Sequence, residues 1–380
     1  KASFWEKYIF FSSTTKVCRE SAEKVAEMLT ENYGNPSSLH TLGFRAERAM
    51  EAAREKVAAV LSARTDEVFF TSGGTESNNM ALFGAAESGA KRGRHIVSTM
   101  VEHPSVLKVM KRLEQKGFSV TYIRPDANGE ISAEQVFSAV RPDTVLVSMM
   151  LVNNEVGSIM PAAAAAAAIK AKKAPALLHV DAVQAFGKLP FSPAKLGADL
   201  MSVSSHKIHG PKGSGALYIK KGVHIAPLTY GGGQEKDVRP GTESTPLIAG
   251  FGAAAGALPD VREEYAAMAE LNGYCREKLL GIGGITINSP EDALPYILNF
   301  SMEGVRAETM LHFLSQKEIY VSSGSACSKG RKSHVLTAMG LDGRRIDSSL
   351  RLSFSRFNTK GEVDVFTDTL KEGLSHISHM

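Results

Sequence analysis

Leu177-Leu178-His179-Val180-Asp181 and Val145-Leu146-Val147 are the stretches on which the fold turns. Each is a continuous, largely apolar run without alternation, the pattern of a strand covered on both faces. Comparable runs near 67–72, 95–99, 119–124, 144–151, 177–181, 200–204 and 215–220 give seven expected strands. Amphipathic segments lie between them. Over 43–62, Ala46, Ala49, Met50, Ala53, Val57, Val60 and Leu61 recur at helical spacing, with Glu47, Arg48, Arg54 and Lys56 on the other side. Strand and helix in alternation predict an α/β fold with a seven-stranded, mostly parallel sheet. Beyond position 258 the pattern changes to long helices with a few strands. A large domain is therefore expected over 15–257, and a smaller α+β domain over 1–14 and 258–380.

The wider composition agrees. The chain has 380 residues, 43% of them hydrophobic, enough for a sizeable core. Its net charge of +4 is spread along the chain rather than gathered into a basic patch, which argues against direct nucleic-acid binding. The apolar stretch from Ala162 to Ile169 falls far short of the ~20 residues that cross a bilayer, so no membrane role is expected. Cys18, Cys275 and Cys327 are too few and too scattered for a disulfide framework or a structural zinc site. A reduced, cytoplasmic setting without a metal is the expectation. Ala162 to Ala168 is an unbroken alanine run, compatible with a helix but without the apolar stripe expected of a crossover helix.

In open α/β sheets, ligands sit outside the carboxyl ends of the strands. Those positions are unusually polar in this chain: Ser72-Gly73-Gly74-Thr75-Glu76-Ser77-Asn78, Glu102-His103, Asn153-Asn154-Glu155, Asp181 with Gln184, and Ser204-Ser205-His206-Lys207. Gly73-Gly74-Thr75 stands between a strand and a helix start, where free N–H groups favour an anion. The spacing is neither the dinucleotide fingerprint nor a Walker loop, so a phosphate cup for a smaller cofactor fits better.

Lys207, next to His206 and close to His209, precedes a tight Gly-Pro turn. A lysine so placed is expected to have a depressed pKa and to be able to form a Schiff base, whereas most lysines are simply solvated. Asp181 should be buried at its strand end and so needs a partner. A ligand's cationic ring nitrogen would serve, and so would a structural arginine. His103 could stack on a ring and move protons, or could simply open a helix before Pro104. Cys327 lies among small residues, Ser322 to Gly330, the setting of a reactive thiol. Arg351 alternates with apolar neighbours on an expected strand and suits a carboxylate, with an internal salt bridge as the common alternative.

Taken together, these segments resemble the cysteine desulfurases, pyridoxal-phosphate enzymes of the class V aminotransferase group. The resemblance runs from about Asn32 to about Thr359. It rests on Tyr33-Gly34-Asn35-Pro36-Ser37-Ser38, Thr71 to Asn79, Asn153-Asn154-Glu155-Val156-Gly157, His179-Val180-Asp181-Ala182, Ser204-Ser205-His206-Lys207, Gly231 to Thr242, and Ser322 to Cys327. It implies a pyridoxal 5′-phosphate held by Lys207 as a Schiff base, with Asp181 on the ring nitrogen, Gln184 on the ring hydroxyl and His103 over the ring. Gly74, Thr75, Ser204 and His206 would hold the phosphate. Thr242 would reach the phosphate of a neighbouring subunit, which implies a homodimer with shared sites. Asn154 and Arg351 would bind the substrate, and Cys327 would be the nucleophile that receives sulfur from L-cysteine. Lys207 and His103 are the candidate proton carriers. The persulfide would pass to a protein acceptor, an iron–sulfur scaffold or a tRNA-thiolation protein.

The chain departs from the family pattern in its N-terminal arm. Phe10-Phe11-Ser12-Ser13 stands where an Asp-Asn pair precedes small residues, and the segment between Cys327 and Val335 is slightly short. A selenocysteine lyase, another class V enzyme, or a catalytically idle cofactor-bound interaction protein are the alternatives. The presence of Lys207, Cys327 and Arg351 weighs against the idle reading.

Overall fold

The structure, a computed structural model, describes residues 9–12, 14–323 and 332–377. Its strands are β1 (Ile9–Phe10), β2 (Val68–Thr71), β3 (His95–Thr99), β4 (Ser119–Ile123), β5 (Thr144–Met150), β6 (Leu177–Asp181), β7 (Leu200–Ser204), β8 (Gly215–Ile219), β9 (Ile285–Ile287), β10 (Ile297–Met302), β11 (Ile319–Tyr320), β12 (Ser322–Ser323) and β13 (Ser349–Ser353).

Strands β2 to β8 form a seven-stranded sheet in the order β2-β8-β7-β6-β5-β3-β4. Only β8 runs against its neighbours. Neighbouring strand residues point to opposite faces, and each face has its own core. Phe69, Ile96 and Leu146 join Met80, Leu82, Val109 and Met110 of the helices Gly74–Gly89 and Pro104–Gln115. Phe70, Val97 and Val147 join Val57 and Leu61 of the helix Thr41–Leu61 and Phe251 of the helix Thr245–Gly256. These last two helices meet closely: a Cβ on Gly252 would lie 2.4 Å from Ala53, so only glycine fits there.

The alanine run forms the helix Ala162–Ala171 and buries Ala162, Ala165 and Ala168. It therefore does carry a buried stripe at three-residue spacing, built from methyl groups alone.

Strands β9, β10, β12 and β13 make an antiparallel sheet in the order β12-β13-β10-β9. The N-terminal arm reaches this part of the molecule, where β1 pairs in parallel with β11. Phe11 is fully buried and meets Phe354 and Phe366 edge-on at 5.5 and 5.7 Å. Among the described residues no helix is long and apolar enough to cross a membrane.

The strand order places the crevice. The chain leaves β3 toward β4 on one side, then returns to build β5, β6 and β7 on the other. That reversal opens a cleft at the carboxyl ends of β3 and β5, flanked by the end of β6.

Candidate active site

The cleft is built from the turns that follow β2, β3, β5, β6 and β7. After β2 the backbone passes through Gly73 at φ +146°, a conformation that L side chains rarely adopt. The helix Gly74–Gly89 begins directly after it without a side-chain cap, so its first N–H groups have no partner from the cap residue. A Cβ on Gly215 would come within 2.6 Å of the Gly73 Cα, so β8 approaches this turn as closely as it does only because position 215 is glycine. The space above Gly73 stays open out to the Ser204 hydroxyl, 3.9 Å from where a Cβ would stand. Thr75 is exposed at the rim, and the Ser72 N–H donates to Glu76, which Arg239 Nε holds at 3.0 Å.

Asp181 ends β6 and is 5% exposed. Its partners are neutral N–H groups: Val183 N donates to Oδ1 at 3.0 Å, and Asn78 Nδ2 to Oδ2 at 2.8 Å. The structural arginine that sequence reasoning offered as one partner is replaced by an amide. A carboxylate buried in this way keeps the capacity to face a cation.

His103 caps the helix Pro104–Gln115, its Nδ1 accepting from Ser105 N at 3.2 Å. The two sequence readings of this residue are thus compatible, since a helix-entry position also places the ring in the cleft. Burial lowers its pKa; Asp181 acts in the opposite direction, while Lys207 and His334 lower it further. His206 and Lys207 occupy the turn Ser205–Lys207 after β7. Burial, Lys207, Lys212 and Lys188 hold His206 down at about 4, so its ring is neutral at physiological pH. The arm returns to this turn: Thr15 Oγ1 donates to the His206 carbonyl at 3.0 Å, and Thr14 Oγ1 lies 3.4 Å from the ring.

Arg351 on β13 is 4% exposed and donates through Nη1 to the Asn154 carbonyl at 2.8 Å. Asn154 Oδ1 is buried without a partner and is available to a ligand donor. Gln184 is buried in the turn after Asp181. Thr242 is exposed, lining a groove with Thr71 and Ser72. Cys327 lies outside the described residues.

Several participants carry no individual role in the sequence reading. Glu102 is completely buried; Thr99 Oγ1 and Met150 N both donate to its Oε1 at 2.8 Å, and burial raises its pKa to about 8. Glu155, likewise raised by burial to about 7, accepts from Ser333 at 2.5 Å. His334 Nε2 donates to the Glu102 carbonyl at 2.9 Å. Lys188 is buried beside the Tyr296 ring, and burial lowers its pKa to about 8. Glu102 was legible as a polar strand-end neighbour of His103, but its neutral state depends on burial that spacing does not report.

These residues fit pyridoxal 5′-phosphate, the cofactor implied by the resemblance. A buried carboxylate with neutral partners suits the ring nitrogen, the unpartnered Asn154 Oδ1 suits a polar substituent, and the glycine turn suits a phosphate. Among the described residues no cluster of His, Cys, Asp or Glu could hold a metal ion.

A parallel-sheet cleft with a buried aspartate ending one strand and a lysine directly after the next places the chain in a known class of proteins. The aminotransferase class-V family model matches residues 7–366, and the chain belongs to that family. Within it, the chain is 41% identical over 382 residues to a protein named cysteine desulfurase IscS from Methanosarcina thermophila, covering 98% of this chain and 93% of that one. It is 42% identical to a NifS/IcsS protein homolog from Lactobacillus delbrueckii subsp. bulgaricus, covering 98% of both. Among solved structures, a NifS-like protein superposes with a TM-score of 0.92 at 42% identity, covering 97% of this chain and all (100%) of that one. A structure titled SspA in complex with cysteine gives a TM-score of 0.82 at 34% identity, covering 93% and 100%.

Proposed function

We propose that the chain is a cysteine desulfurase that uses pyridoxal 5′-phosphate to move sulfur from L-cysteine to Cys327 and on to a protein acceptor. The observation that carries this reading is the gathering of Asp181, His103, Lys207 and Asn154 after the strands of one sheet, with Arg351 reaching Asn154 from β13, in a chain alike over its full length to proteins named for that activity.

Lys207 would hold the cofactor, Asp181 would face its ring nitrogen, and Gln184 its hydroxyl. Gly74, Thr75, Ser204 and His206 would take the phosphate, with Thr242 reaching it from a second copy in a homodimer. When bound, the cofactor supplies an electron sink at the substrate α-carbon. The chain supplies the rest. Arg351 and Asn154 orient the L-cysteine carboxylate. Lys207 takes and returns the α-proton, and His103 governs a second proton above the site. The Cys327 sulfur attacks the substrate sulfur, so that a carbon–sulfur bond breaks and a sulfur–sulfur bond forms. The carbon takes up hydrogen, L-alanine leaves, and a persulfide remains on Cys327. Its terminal sulfur then passes to an acceptor thiol such as one on an iron–sulfur scaffold or a tRNA-thiolation protein.

Cys18 and Cys275 are buried free thiols, and burial pushes Cys275 up to about 12, so neither competes as a nucleophile. A cytoplasmic, reducing compartment suits a chain that works through a free thiol. The test is L-alanine and sulfide release from L-cysteine with a thiol reductant. Equimolar products support desulfuration; cofactor-loaded protein that releases neither contradicts it.

A further inference from the structure

A continuous hydrogen-bond path joins Asp181 to His103. Asn78, in the helix Gly74–Gly89, is 1% exposed and donates both of its amide hydrogens. One goes to Asp181 Oδ2 at 2.8 Å and the other to Ser105 Oγ at 2.9 Å. Ser105 Oγ lies 2.8 Å from His103 Nδ1.

The directions follow from the inventory of donors. Turning the Asn78 amide over would set its oxygen against a carboxylate oxygen, so Nδ2 faces Asp181. The amide oxygen is left buried without a partner. Ser105 Oγ, having accepted from Asn78, has its own hydrogen for His103 Nδ1. That nitrogen also receives the Ser105 backbone N–H at 3.2 Å. A nitrogen facing two donors presents a lone pair, so the ring proton sits on Nε2.

We infer that Asn78 and Ser105 are positioning residues that hold His103 neutral, with its proton on Nε2, while tying it to Asp181. This rests on the roles given to Asp181 and His103 in the proposed function, which name neither Asn78 nor Ser105. Protonating Nδ1 would turn an N–H against the backbone N–H of Ser105, which cannot reorient. His103 therefore enters turnover as an Nε2–H donor, and Lys207 is left as the group that takes up the α-proton. The charged and titratable groups facing His103 are Asp181 across the relay, Lys207 from the turn after β7, His334 from the helix His334–Ala338 and the adjoining Glu102. Asp181 alone raises the His103 pKa, and the relay opposes it.

The test uses the holoenzyme labelled with nitrogen-15 at histidine, and follows the His103 tautomer by NMR and the acid limb of kcat/KM for alanine formation. The wild type should show a neutral Nε2–H ring. Ser105→Ala removes a donor to Nδ1 and should raise the His103 pKa by about one unit, a tenfold change in proton affinity. Asn78→Ala should shift it the same way, which covers failure of the first variant to fold. Ser105→Thr restores the hydroxyl and should restore the acid limb. An Nδ1–H tautomer in the wild type, or a Ser105→Ala protein with the wild-type pKa, overturns the inference. The NMR result does not depend on turnover, so a protein inactive on L-cysteine refutes the proposed function and still decides the tautomer.

Discussion

Arg351 on β13 donates to the Asn154 carbonyl across 2.8 Å, joining the smaller sheet to the loop that follows β5. The contact holds the guanidinium at the mouth of the cleft without using a carboxylate in that bond. Arg351 also acts through its charge on two buried groups, lowering the pKa of Lys188 and that of Glu155.

Arg351→Lys keeps the charge and loses the planar fork. The kcat/KM for L-cysteine should fall by ~10–100-fold, the loss of a charge-assisted hydrogen bond worth ~1.5–3 kcal/mol. Steady-state kinetics over a cysteine series checks it. Unchanged kcat/KM would remove Arg351 from substrate recognition.

Lys207→Ala should abolish the adduct reducible by borohydride, because Lys207 stands in the turn directly after β7. The check is mass spectrometry of the reduced, digested protein loaded with pyridoxal 5′-phosphate. A reduced cofactor found on Lys188 instead would move the Schiff base to the neighbouring buried amine.

Glu102 links stability to pH. Its folded pKa of about 8 lies above the ordinary 4.5, so the folded protein holds a proton that the unfolded chain has released. Stability from this group is complete below the ordinary value, falls as pH rises from there, and is lost once pH passes the folded value. Glu102→Gln keeps the shape without the proton. Its Tm should therefore gain on the wild type steadily between pH 5 and pH 8, by thermal unfolding at matched ionic strength. Parallel Tm curves would show Glu102 ionised in the folded protein.

Arg54 and Glu235 form a buried bidentate pair, at 2.8 and 2.9 Å, and Phe70 N adds a third bond to the same carboxylate at 2.7 Å. Glu235 belongs to the segment after Gly231-Gly232-Gly233, so these bonds pin that loop to the helix Thr41–Leu61 and to β2. Glu235→Ala should cost ~3–5 kcal/mol by denaturant unfolding, because it breaks a buried pair and leaves Arg54 only the half-exposed Glu51 and the Val68 carbonyl. A loss under ~1 kcal/mol would mean that water reaches Arg54.

Much of this architecture was readable from residue order. The runs at 144–150 and 177–181 are largely apolar because both faces of those strands are covered, and that pattern, with helices between the strands, predicts the parallel sheet. The reversal of β8 was not readable, since Gly215–Ile219 is as apolar as its parallel neighbours and strand direction depends on the short turn through Pro211 and Gly213. The alanine helix misled for a related reason: Ala162, Ala165 and Ala168 form a stripe that differs from the exposed face only in burial. In the site, strand-end residues such as Asp181 and His103 stood out by position. Ser105 did not, and Asn78 stood out only as the last residue of a polar turn, because the contacts that give them meaning span 27 and 103 residues of sequence. Asn78 does lie one helical turn beyond Gly74, on the cleft side of its helix, and that spacing was the available clue.

The central claim is that sulfur passes through Cys327. The direct test is intact-protein mass spectrometry after one turnover of L-cysteine without reductant, on the wild type and on Cys327→Ala. The account predicts that the wild type gains one sulfur atom, mapped by peptide analysis to Cys327, together with one equivalent of L-alanine, and that the variant gains none. A wild type that releases L-alanine and free sulfide with no sulfur on Cys327, matched by equal turnover in Cys327→Ala, would contradict it.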